Sequence, residues 1–433
     1  MRPLQHFIVL LWLIVPAIGI AAEVPLTLAE AQRLAVAQSP LLGARRSAID
    51  AAREQSLAAG QMADPVLKLG IDNLPVDGAD AFSLTRDFMT MRRIGLMQEW
   101  TRADKRDARR SRFEKEGERA TSEQAATVAA IQRDVALAWI DRHYAEAIVA
   151  SIGELAAEAR REVEAAEAAF RGGRGSAADV LQAQGAALAL EDRAVEARRN
   201  VGTTIAALER WIGASATAPL LGDPPYDALA FDVSALPGAL EQLPVLRTLA
   251  FETDVAAADV RIAQAEREPD WSFEVAYQQR GPDYSNMISI GVSVPLPWNR
   301  AQRQDREVAA RLARVDEARA ARDDAMRRYS AQLRTWFVEW ESGRERIALH
   351  DHKLVPLAKD RTRVAIAAYR GGKGTLAEVL AARRAELDVH RSLITVAQET
   401  SRAWAQLNFL GMELAATSGG RGGTESARAR ETP

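Results

Sequence analysis

One stretch of fourteen residues occurs twice in this 433-residue chain. Phe170-Arg-Gly-Gly-Arg-Gly-Ser-Ala-Ala-Asp-Val-Leu-Gln-Ala returns as Tyr369-Arg-Gly-Gly-Lys-Gly-Thr-Leu-Ala-Glu-Val-Leu-Ala-Ala, at an offset of 199 (369 − 170). Leu208 and Leu407 keep the same offset, and Gly213 and Gly411 follow one residue out of step. Upstream, Ile94, Gly95 and Trp100 are echoed by Ile290, Gly291 and Trp298. So many ordered correspondences mark a duplicated unit rather than a chance match.

Proline placement says what the unit is made of. None occurs between Pro75 and Pro219, and after Pro297 only Pro356 and Pro433 remain. Proline in a helix interior costs about 3 kcal/mol, so these intervals are open to very long helices. Their apolar residues recur every three to four positions, as in Ile131, Val135 and Ala138, or Ile148, Ile152 and Leu155. Leu333, Phe337, Trp340, Ile347 and Leu354 extend a near-heptad seam. Narrow apolar stripes of this kind pack as coiled coils. A helix from about Asp104 to Phe170 is expected to be roughly 100 Å long. Pro219, Pro224, Pro225 and Pro237 mark a connector between the halves.

The Gly-rich stretches read as sharp turns between antiparallel helices. Gly172, Gly173 and Gly175 are expected to permit positive φ, as are Gly371, Gly372 and Gly374. Ser176 caps the next helix with Asp179 three residues on, and Thr375 with Glu378 repeats the pattern. A phosphate loop does not fit, because no Gly-Lys-Ser/Thr follows the glycines at the required spacing.

Short segments of period two lie between the helices. Leu67, Leu69 and Ile71 alternate with Lys68 and Gly70, and Phe273, Val275 and Tyr277 with Glu274 and Ala276. Ile288, Ile290, Val292, Val294 and Leu296 alternate with Ser289, Gly291, Ser293 and Pro295. Such strands suit either a wall between lipid and a wet lumen or a half-buried soluble sheet. The start, with Arg2, an apolar run Phe7–Ile20 and then Ala21 and Ala22, reads as a secretory signal. No later stretch approaches the ~20 apolar residues of a membrane-spanning helix.

Catalytic chemistry is not visible. The chain has no cysteine, which excludes disulfides and thiolate sites. His350 and His352 are two apart and point to different sides of a helix. No metalloprotease, nucleophile-elbow or dinucleotide motif occurs, so no enzyme activity, cofactor or resident metal is expected. A net charge of −3 gives no argument for nucleic acid. Met89, Met91 and Met97 cluster near a strand; thioethers take soft Cu(I), and packing and loop positions are the favoured explanation.

Taken together, the repeated turns and the passages Ile94–Arg106 and Ile290–Arg303 resemble the TolC-like outer-membrane efflux family. The resemblance spans Leu26 to Leu414. It implies a mainly α fold with a membrane β-barrel: a homotrimer with four strands per protomer in a shared twelve-stranded barrel, and a periplasmic helical tunnel. It implies as partners a periplasmic adaptor (membrane fusion protein), an inner-membrane pump of the resistance-nodulation-division type, and outer-membrane lipid. The tips Gly172, Gly173, Gly175, Ser176, Gly371, Gly372, Gly374 and Thr375 would meet the adaptor. Asp179 and Tyr369 match entrance-latch positions. The usual latch arginine aligns with Gly374, leaving Lys373 or Arg174 to substitute. Glu378 matches one acidic constriction position and Ala381 occupies the other. The segment Met89–Trp100 is similar to a strand region of the metal-exporting branch.

The expected organisation is a signal at 1–22, a first repeat at 23–213 and a connector at 214–238. A second repeat at 239–414 and a disordered tail at 415–433 follow. Strands are expected within about 64–100 and 270–297, and helical hairpins within about 103–213 and 299–412. The function expected is a passive export conduit, for cargo that includes heavy-metal cations such as copper. The competing reading is a periplasmic adaptor or coiled-coil scaffold, which would carry one hairpin rather than two.

Overall fold

The computed structural model describes residues 25–229, 238 and 240–422, with side chains through 409. The expected signal, part of the connector and the end of the expected tail lie outside the described residues.

The first unit opens with α1 (Leu28–Gln38) and α2 (Pro40–Ala59). Thr27 caps α1 by accepting the Glu30 N–H at 3.2 Å, and Pro40 starts α2, where its missing N–H costs nothing. Strands β1 (Val66–Asp72) and β2 (Met91–Trp100) follow, then α3 (Ala103–Arg171) and α4 (Ala177–Ile212). The second unit has α5 (Pro244–Ala265), β3 (Trp271–Gln279), β4 (Met287–Ser293), α6 (Gln304–Leu349), α7 (Val355–Arg370) and α8 (Leu376–Gly422). The two hairpins are α3–α4 and α6–α7–α8.

At 69 residues α3 is a single helix of about 100 Å. Its counterpart is interrupted. Pro356 has no N–H to give the carbonyl four residues back, and the helix widens into a π turn at His350–Leu354. There the Val355 N–H reaches the His350 carbonyl, five residues back. The equivalent position in α3 is Ala157 (356 − 199), and that helix passes through unbroken. α8 runs on through Gly422 rather than ending near 412. Met412 to Ala416 are mostly strong helix formers, so Gly411 alone does not stop it.

The main core lies where both hairpins meet the connector. Trp139, Ile140, Leu208, Leu246, Trp340 and Leu407 belong to it. Three indoles hold irregular chain against the helices: Trp139 donates to the Leu26 carbonyl (3.1 Å), Trp340 to Tyr226 (2.7 Å) and Trp404 to Ala228 (2.8 Å). Leu26 also pairs with the connector, donating to the Pro219 carbonyl and accepting from Leu221.

The strands form one antiparallel sheet in the order β1-β2-β3-β4. Its register aligns Leu67, Leu96, Val275 and Ile290 in one row, and Leu69, Ile94, Tyr277 and Ile288 in the next. That entire face is uncovered, with Ile288 and Ile290 at 72% and 79% exposure. The opposite face carries Lys68, Arg93, Glu274, Gly95, Ala276 and Ser289. Gly95 and Ala276 are buried on it, as expected for the concave side of a curled sheet.

Candidate functional site

The hairpin tips are near-copies in geometry as well as in sequence. In the first, the Gly172 N–H donates to Ala168, Gly173 to Phe170 and Arg174 to Ala169, all at 2.9–3.0 Å. In the second, Gly371, Gly372 and Lys373 make the same three bonds at the same lengths. The expectation of positive φ holds for one glycine per tip, Gly173 (φ 73°) and Gly372 (φ 69°). Gly172 and Gly371 have φ near −80°. Gly175 and Gly374 are favoured for another reason: a Cβ there would lie 3.2 Å and 3.1 Å from the methyls of Ala169 and Ala368. A side chain at either position would push the facing helix end aside by a few tenths of an ångström.

The candidate gate residues sit beside these turns without bonding to one another. The Asp179 carboxylate closes a capping box on Ser176, accepting its N–H (2.9 Å) and hydroxyl (2.7 Å). Those bonds from Ser176 hold the Asp179 carboxyl below its ordinary value. Glu378 is exposed and accepts the Thr375 N–H at 2.9 Å, so within the protomer it works as a helix cap. Tyr369 packs in a small apolar cluster with Ala166, Ala183, Leu376 and Leu380, which joins the two hairpins close to their tips. Among the described residues Lys373 and Arg174 form no ion pair.

The ionic contacts between the hairpins are made elsewhere: Arg402 on α8 pairs with Asp141 on α3, and nearer the tips the contact is made by Arg383 on α8. Its guanidinium lies 2.5 Å from Glu158 and 3.2 Å from Glu162, both on α3, and 3.4 Å from Glu386 on its own helix. The Arg383 side chain is 24% exposed, Glu162 16% and Glu386 10%. Burial pushes the Glu162 carboxyl above its usual range; Arg383 pulls it down and Glu158 pushes it up. Sequence reading missed this set because the repeat does not contain it. Position 383 corresponds to Gln184, and 162 to Arg361.

At the other end of the long helices, Lys105 is buried at the start of α3 and bonds Asp270 just before β3 at 2.7 Å. The two units are thereby joined where strands become helices. On the concave face of the sheet, Lys68 pairs with Glu274 (2.6 Å), and Arg93 lies between Asp72 (3.4 Å) and Glu274 (3.5 Å). Met91 and Met97 share this face but are six residues apart, about 20 Å along a strand, and Met89 lies before it. The three sulfurs do not converge. Among the described residues no group of His, Cys, Asp and Glu is placed to hold a metal, and no helix is long and apolar enough to cross a membrane.

Comparison with known proteins agrees with this architecture. No curated protein matches the chain. Residues 235–410, the second unit, match the family described as outer membrane efflux protein. Among solved structures, the outer membrane protein VceC from Vibrio cholerae superposes with a TM-score of 0.72 at 20% identity, covering 89% of this chain and 96% of VceC. A membrane protein from Pseudomonas aeruginosa gives 0.77 at 16% identity, over 90% and 92% of the two chains. CusC, solved in a study of folding and transmembrane channel formation, gives 0.73 at 15%, over 89% and 91%. By sequence, the second unit thus matches the outer membrane efflux protein family, and by fold both units match these solved structures.

Proposed function

We propose that three copies of this chain form one passive conduit through the outer membrane and across the periplasm. The observation that carries this reading is the four-stranded sheet. One face is apolar and uncovered: Leu67, Leu69, Ile71, Ile94, Leu96, Phe273, Val275, Tyr277, Ile288, Ile290 and Val292 are each 43% exposed or more. Eleven such side chains, left about half in water, forgo on the order of 10 kcal/mol of transfer free energy. That is comparable with the whole stability of a typical domain. Lipid removes the cost.

Lipid also forbids open sheet edges. β1 and β4 each have one free edge. Because the strand number is even, β4 of one copy meets β1 of the next antiparallel, and head-to-tail contact of this kind closes into a ring. Three copies give twelve strands. The apolar face then meets lipid, and the face with Lys68, Arg93 and Glu274 lines the lumen. The connector forms a belt about the middle of the helical tunnel. The glycine tips, distal from the sheet, present Gly172–Ser176 and Gly371–Thr375 to a periplasmic adaptor, with an inner-membrane pump supplying energy. Asp179, Tyr369 and Glu378 are the proposed entrance residues, acting between copies. Two hairpins rather than one argue against a periplasmic adaptor.

The proposed cargo includes heavy-metal cations such as copper. Met91 and Met97 on the lumen face offer thioethers, which suit soft Cu(I). Unchanged copper sensitivity in a deletion strain would remove that cargo. The conduit itself is tested by fractionation and unheated gel electrophoresis. A trimer band in the outer membrane is expected; a soluble monomer without detergent would overturn the reading.

A further inference from the structure

The tips are where a tunnel of this kind would close, yet the side chains expected to lock them are occupied locally. Asp179 is held by Ser176 and Glu378 by Thr375. The only ion pairs between α3 and α8 among the described residues near the tips are those of Arg383. We propose that Arg383 is the ionic clamp that holds the tip of the second hairpin against the first, and that the π turn His350–Leu354 is the pivot about which that tip swings when the clamp lets go. This rests on the conduit reading above.

Four observations support it. Arg383 is one cation among three carboxylates drawn from both hairpins, so loss of its charge leaves Glu158, Glu162 and Glu386 to repel one another. Glu162 and Glu386 are largely buried and Glu158 is partly exposed; a buried charge that loses its partner is strongly destabilised. A cavity of about 480 Å³ adjoins the cluster between α3, α4 and α8, lined by Leu155, Arg384 and Leu387 among others. Packing on this side of the cluster is therefore incomplete, although Val379 and Leu387 are buried close by.

The pivot is asymmetric in the same sense as the clamp. Only the second hairpin has Pro356 and the π turn, and π turns interrupt the regular ladder that stiffens a helix. Only the second hairpin has the arginine. The first has Gln184 and Ala157 at the two matching positions. A scaffold contact common to both units would be expected in both. A clamp and a hinge on the same hairpin, with neither on the other, describe one moving arm against one fixed arm.

The cysteine-free sequence allows a direct test on the full-length protein in detergent. Arg174→Cys and Lys373→Cys, both exposed, carry spin labels on the two tips. Pulsed electron resonance then reads the distance between them. Arg383→Gln is expected to shift the distribution to longer distance and broaden it. Glu162→Gln, which keeps side-chain size, is expected to do so in the same direction. Arg383→Lys keeps the charge and is expected to stay near wild type. The swap Arg383→Glu with Glu162→Arg is expected to recover part of the wild-type distribution. Helix content by circular dichroism serves as the folding control. In planar bilayers Arg383→Gln is expected to raise closed-state conductance several-fold. Unchanged tip distances in both glutamine variants would overturn the clamp. Failure of the wild type to conduct at all would instead overturn the conduit reading, because the tip distances still report on Arg383.

Discussion

Lys68 on β1 bonds Glu274 on β3, two strands away, at 2.6 Å. The strand between them carries Gly95 at the position facing Lys68 on one side and Ala276 on the other. Because Gly95 has no side chain, the lysine crosses over β2 unobstructed. The same absence lets the concave face tighten: a Cβ on Gly95 would sit 3.0 Å from that of Ala276 and 3.3 Å from the Val275 carbonyl. Curl, ion pair and glycine are one device. Gly95→Val is expected to abolish the heat-resistant trimer on unheated gels. Gly70→Ala, on the same face with nothing nearer than 3.9 Å, is expected to leave it intact.

The tips predict a ranking among glycines. Gly173→Ala places a methyl at φ 73°, which costs about 1–2 kcal/mol. Gly175→Ala keeps an allowed backbone but drives a methyl into Ala169 and Phe170. Gly185→Ala, in mid-helix with open space around it, should stabilise by a few tenths of a kcal/mol to about 1. Thermal melts of the three variants should therefore fall on both sides of wild type. Equal melting of all three would show that the turn geometry is not constrained as described.

Lys105 and Asp270 predict a pH dependence. Burial pushes the Asp270 carboxyl up, but the Lys105 bond and the Arg102 N–H outweigh it, and the carboxyl lies below its ordinary value. A depressed acid contributes stability above its unfolded value, about 3.9, and loses it as pH falls through the lower folded value. Asp270→Asn leaves the buried Lys105 ammonium unpaired and should cost roughly 3 kcal/mol near neutrality. The gap between wild type and variant is expected to shrink below about pH 4. A gap independent of pH would show that the carboxylate charge is not what matters.

The connector predicts a loss tied to hydrogen bonding rather than size. Trp340→Phe and Trp404→Phe keep aromatic bulk but remove the bonds to the carbonyls of Tyr226 and Ala228. Each is expected to cost about 1 kcal/mol, seen as faster proteolysis between 213 and 229. Unchanged digestion would mean that the indole N–H groups do not hold the connector.

Much of this was legible in the sequence because it is periodic or repeated. The strands announce themselves by alternation from Leu67 to Ile71 and from Phe273 to Tyr277, and the tips by matching glycines. Proline spacing foretold α3, but the break at Pro356 in its counterpart was not read, because the near-heptad seam runs on to Leu354. The Gly175 preference was hidden, since a close approach to Ala169 depends on how the chain folds back. Arg383 was hidden for a deeper reason: its partners lie 221 and 225 residues away (383 − 162 and 383 − 158), with no echo at Gln184. Charge pairing across helices leaves no periodic trace.

The central claim is that this chain encloses a water-filled path. Single-channel recording of the purified full-length protein in planar bilayers tests it most directly. The account predicts small closed-state currents in wild type and larger ones when Asp179 and Tyr369 are both replaced by alanine, with the trimer intact. Bilayers that stay silent with both proteins, despite verified insertion of trimers, would contradict it.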